Sequence, residues 1–84
     1  MEYTIDCSAI TDAGGLHDLL AKALNLPGWY GHNLDALYDC LTELENPVHL
    51  ILTGWDPHAA FAPGFEGVFA DAQCDNPDFT AEYA

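Results

Sequence analysis

The hydrophobic period of this chain switches back and forth between two and 3.6, and that alternation limits the folds open to it more than any other feature. In "EYTIDCS" Tyr3, Ile5 and Cys7 fall on one side and Glu2, Thr4 and Asp6 on the other, the signature of a strand. "TDAGG" breaks it. From Leu16 the apolar residues recur at Leu19, Leu20, Ala23 and Leu24, which predicts an amphipathic helix capped by Thr11 or Asp12 and ended by Pro27. A second helix is expected from Leu34 to about Leu44, with Asn33 as its cap and Pro47 beyond its end. "VHLILT" is the most continuously apolar strand candidate and is placed centrally. A short helical turn, a helix near Phe65 to Cys74, the turn "DNPD" and a last strand, "FTAEYA", complete the order. Strands separated by helices pair in parallel through right-handed crossovers, so the chain is read as one small α/β domain spanning residues 1–84.

Charge narrows the partners. There are 14 Asp and Glu residues against one basic residue, Lys22, for a formal charge of −13, while half of the residues are hydrophobic. The apolar half excludes a disordered acidic tail. The charge argues against nucleic acid or an anionic membrane as a direct ligand and suits either a cationic partner or an acidic proteome adapted to salt. Cys7, Cys40 and Cys74 are odd in number and lack CxxC spacing, which suggests neither a disulfide framework nor a zinc site. No basic segment leads into an apolar one at the start, so a reducing, cytoplasmic setting is the expectation.

The second predicted helix carries a feature that helix stability does not explain. Leu34, Leu37, Leu41 and Leu44 make one apolar stripe, whereas Asp35, Asp39 and Glu43 stack four apart on a different line with no Lys or Arg on the helix to offset them. Asp35 sits in the first turn, where the helix dipole favours it, but Asp39 is mid-helix and Glu43 nears the unfavourable end. Tyr38 projects between the two lines, with one edge of its ring packed and its hydroxyl expected to be wet. Just before the helix, Trp29 and Tyr30 stand between Gly28 and Gly31, a loop that either anchors a partner beside the carboxylates or plugs the end of the core.

Catalysis finds little support. His17, His32, His49 and His58 occur without a nucleophile elbow, a phosphate-binding glycine loop or an HExxH pattern, and Cys40 reads as a buried small hydrophobe. Asp71, Asp75 and Asp78 in "DAQCDNPD" fit no EF-hand spacing, so neither a metal nor another cofactor is expected.

The stretch "LPGWYGHNLDALYDCL" resembles the signature of the barstar family, protein inhibitors of small secreted ribonucleases. The match is dense and ungapped. It implies a three-stranded parallel sheet in order 1-2-3 with helices packed on it. It also implies that the second helix and the loop before it occlude a basic ribonuclease in a 1:1 complex, with carboxylates in the places of substrate phosphates. On this resemblance Asp39 is the main phosphate mimic, facing Arg, Lys and His of the enzyme, and Asp35 is the second. Trp29 and Tyr38 flank them, Gly31 and Asn33 shape the loop, Leu34 supplies apolar contact, and Asp71 stands at an acidic rim. Tyr30 and Glu43 complete the expected contact set. His32 occupies a position where an acid is common in the family, and Leu44 replaces an aromatic. The alternative kept open is the same scaffold serving as an acidic, nucleic-acid-like module for a basic partner that is not a ribonuclease.

Overall fold

The structure, a computed structural model, describes residues 1–84. Strand β1 (Glu2–Asp6) leads through helices α1 (Ala13–Ala23) and α2 (Leu34–Thr42) to β2 (Val48–Thr53). Helix α3 (Ala62–Asp75) and β3 (Phe79–Tyr83) follow. The three strands are parallel in the order β1-β2-β3, with Ile5 beside Leu52 and Val48 beside Phe79, so "VHLILT" is the central strand as expected. No helix is long and apolar enough to cross a membrane.

Alternation along the strands sorts the sheet into two unlike faces. Ile5, Val48, Leu50, Leu52 and Phe79 are buried together with Leu16 and Leu20 of α1, Leu37 and Leu41 of α2, and Phe65 and Phe69 of α3. Burial of this size is what holds a small domain together, at about 25 cal/mol per Å² of apolar surface removed from water. The opposite face carries Glu2, Thr4, Asp6, His49, Ile51, Thr53, Thr80 and Glu82, none of them fully buried. Parallel sheets are ordinarily covered on both faces. Here polar residues make the open face compatible with water, and His49 ties two rows of it together, its ring nitrogens lying 2.7 Å from Thr80 Oγ1 and 2.6 Å from Glu82 Oε1.

Capping sets where the helices begin and end. Helix α1 begins at Ala13, directly after Asp12, one of its two expected caps, whose side chain accepts from the Gly15 N–H at 2.7 Å and holds both glycines in the first turn. It ends at Ala23, ahead of Pro27. Asn25 takes a left-handed backbone (φ 51°), and the Leu26 N–H reaches back to the Ala21 carbonyl at 3.0 Å, closing a Schellman turn. Helix α2 stops at Thr42, whose hydroxyl donates to the carbonyls of Tyr38 and Asp39 at 3.0 and 3.1 Å. Helix α3 starts at Ala62 instead of near Phe65, since Pro63 occupies the first turn, where its missing N–H costs nothing.

One turn depends on glycine. Gly54, directly after β2, has φ +65°, and a Cβ there would lie 2.9 Å from Ser8 Cβ and 3.0 Å from the Ser8 backbone nitrogen. Gly54→Ala is therefore expected to destabilise the protein by more than about 1 kcal/mol, read as a lower urea midpoint with an unchanged slope.

Candidate protein-binding face

The loop between α1 and α2 is built around one inward and one outward aromatic residue. Pro27 accepts from the Tyr30 N–H at 3.0 Å, closing a turn that points Trp29 into solvent at 60% exposure. Tyr30 turns the other way, contrary to its expected place on the contact surface. It is only 5% exposed, and its hydroxyl is hydrogen-bonded to Nδ1 of buried His17, whose ring packs on Phe65. Tyr30 is thus a core residue that fixes the loop from beneath. The plug reading of the aromatic pair describes Tyr30, and Trp29 is left exposed.

Burial determines the protonation of this hydrogen bond. It pushes the Tyr30 phenol well above its usual range, with the Cys40 thiol adding to the shift, so the hydroxyl remains a donor. Burial likewise lowers the His17 pKa, helped by His32 and opposed by Asp18, so Nδ1 is free to accept. The unfolded chain therefore binds a proton at His17 more readily than the folded one. Stability is fully present above the ordinary histidine value of 6.5 and falls as pH drops through the lower folded value. Urea denaturation between pH 7.5 and 5 should show this loss, and His17→Gln should flatten the pH dependence.

A second tie holds the loop to α1. His32, with a left-handed backbone (φ 53°), places Nε2 2.9 Å from Asp18 Oδ1. Asn33 then caps α2, its side chain accepting from the Ala36 N–H at 2.8 Å while its amide donates to the Gly31 carbonyl at 3.3 Å. A Cβ on Gly31 would stand 2.9 Å from that same Asn33 amide, so the bare glycine leaves the cap its room.

Helix α2 separates its faces. Leu37, Cys40 and Leu41 are buried, with Leu34 and Leu44 half-buried at the ends of the stripe, whereas Asp35, Asp39 and Glu43 are exposed. The side-chain contacts at salt-bridge distance are His32 with Asp18 and His49 with Glu82, so the three carboxylates have no Lys, Arg or His partner. Burial, followed by the charges of Glu43 and Asp39, raises the Cys40 thiol and keeps it neutral. Leu34 meets α3 where Gly64 leaves space, since a Cβ there would lie 2.8 Å from Leu34 Cδ1. At the other end, the Asn76 amide donates to the Leu41 carbonyl at 2.9 Å.

The contacts that tie this face to distant residues were not legible. The Tyr38 hydroxyl, expected to be free in water, donates to the Asp75 carboxylate at the end of α3. Asp71, expected at the acidic rim, is exposed one helical turn before Asp75. Asp75 is the residue missed: it lies 37 positions from Tyr38, and no local pattern joins them. The ties of Tyr30 to His17 and of His32 to Asp18 were likewise hidden, because the folding of the loop back on α1 creates them. No group of three or more His, Cys, Asp or Glu side chains is arranged to hold a metal ion.

Comparison with known proteins bears on this geometry. The profile of the family described as Barstar (barnase inhibitor) matches residues 1–82. A protein of Bacillus subtilis (strain 168) named "Putative ribonuclease inhibitor YrdF" is 44% identical over 57 residues, which are 67% of this chain and 58% of that relative. A match over nearly every residue, together with a parallel sheet of order β1-β2-β3, places the chain in the barstar family.

Proposed function

We propose that this protein inhibits a small, basic, secreted ribonuclease by occluding its active site with α2 and the loop that carries Trp29. The observation that carries the reading is the line Asp35, Asp39 and Glu43, exposed and without cations, beside an exposed indole. Isolated, that arrangement is mildly unfavourable to the helix. Facing a phosphate-binding cleft, it becomes complementary, because each carboxylate meets a donor set made for a phosphate oxygen. Family membership and the name of the Bacillus relative support the choice of a ribonuclease as partner.

Roles follow position. Asp39, midway along the exposed line, meets the enzyme's cationic cluster, and Asp35, a turn earlier in the electropositive first turn of the helix, meets its edge. Trp29 and the ring of Tyr38 flank them, with Tyr38 held by Asp75. Leu34 contributes apolar contact, Gly31 and Asn33 hold the loop, and Asp71 extends the acidic rim. The net charge of −13 steers a basic enzyme toward this surface, so association slows as salt rises.

The test is inhibition of a panel of small guanyl-specific ribonucleases at varied RNA concentration. Stoichiometric inhibition competitive with RNA is the expected result. Binding to a basic protein that is not a ribonuclease, with no panel member inhibited, would transfer the scaffold to the alternative partner class.

A further inference from the structure

At the Glu43 end of the acidic line lies a groove, shared with Trp29 and Glu43, whose apolar bed the phosphate-mimicry reading leaves unused. It has a volume of about 220 Å³ and runs between the Schellman turn that ends α1 and the last turn of α2, lined chiefly by Leu24, Leu26, Trp29, Cys40, Glu43 and Leu44. Its composition is graded. The three leucines and a neutral, buried thiol make an apolar bed, the exposed indole of Trp29 forms one wall, and Glu43 brings a carboxylate without an ion pair to the rim. Glu43 and Cys40 line the same groove, which puts that charge at the bed itself.

These features select an occupant. An apolar stem would suit the leucines, but a purely apolar or aromatic plug would cover Glu43 and leave its charge desolvated without a partner. An anion would be repelled by a chain carrying −13. A lysine would satisfy the charge as a compact, strongly hydrated point. A planar guanidinium stacks flat on an indole while its fork donates to a carboxylate beside it, which a compact ammonium does less well. We propose that the groove receives an arginine side chain of the basic partner, with its methylenes on Leu24, Leu26 and Leu44 and its guanidinium between Trp29 and Glu43. The source of that arginine rests on the ribonuclease reading; the chemistry of the groove does not. The contact lies apart from the phosphate-mimicking Asp39 and makes the pair Trp29 and Glu43 a determinant of which basic enzyme is bound.

The test is an NMR titration of the full chain with N-acetylarginine amide at low salt, following the methyl groups of Leu24, Leu26 and Leu44 and the Trp29 indole N–H. Saturable shifts are expected at these groups. N-acetyllysine amide should bind roughly two- to fivefold more weakly, as loss of the stacking contact implies. Glu43→Gln and Trp29→Ala should each weaken the arginine response; both residues are exposed, so the fold survives their replacement. Absence of shifts in the groove, a stronger response to N-acetylphenylalanine amide, or an arginine response unchanged in Glu43→Gln would overturn the proposal. Inhibition of the panel with no groove shifts would leave the ribonuclease reading standing without the arginine site. Groove shifts with no inhibition would keep the arginine site and reassign its donor.

Discussion

Asp39→Ala is expected to weaken the complex with the cognate ribonuclease by about 2–5 kcal/mol or more while changing fold stability by less than about 0.5 kcal/mol. The affinity range is a general one for truncating one member of a buried charge pair, and complexes of the barstar family are among the cases behind it. The asymmetry has a physical origin. In the free protein Asp39 is exposed, has no ion pair, and stands between like charges at Asp35 and Glu43, so removing it costs the fold nothing it depends on. In the proposed complex its removal would strand desolvated cations on the enzyme. Paired measurements of Kd and of the urea midpoint check this, and a large loss of stability would show that Asp39 holds the fold together.

Leu37→Ala is expected to do the reverse, lowering stability by about 2–5 kcal/mol. Leu37 is fully buried and belongs to the same core cluster as Leu41, Phe65 and Phe69, so truncation leaves a cavity that the packed α2 and α3 can only partly close. For a domain of this size that loss is a large share of the whole stability, on the order of 5–15 kcal/mol. The urea midpoint should fall with the slope retained. Under conditions where the variant stays folded, its affinity for the enzyme should stay close to that of the parent. Asp39 and Leu37 lie two positions apart on one helix, so opposite outcomes would separate its binding face from its folding face.

The strands were readable because alternation is a local signal. Tyr3, Ile5 and Cys7 opposite Glu2, Thr4 and Asp6 need no distant partner to declare a sheet with one wet face. The acidic line and Trp29 were readable for the same reason, since spacing along a helix and an aromatic between glycines are local. Helix ends were less so. The Asp12 cap of α1 was legible, but the end of that helix turned on the contact of Leu26 with Ala21, which comes before Pro27, and the start of α3 on Pro63 in its first turn. The side that Tyr30 faces was left open between anchor and plug because its partner, His17, lies 13 residues away on α1. The Tyr38–Asp75 contact and the groove of Trp29 and Glu43 arise only from packing, the first of α2 on α3 and the second of the α1 turn beside α2.

The central claim is that α2 and the loop before it form the surface that meets a ribonuclease. Hydrogen exchange of the protein, free and saturated with an inhibited panel enzyme, tests it most directly. Slower exchange confined to residues 28–43 and the end of α3 near Asp71, with the open sheet face of Glu2, His49 and Thr80 unchanged, is the predicted footprint. Protection centred on that open face, with the exchange of residues 28–43 unaltered, would contradict it.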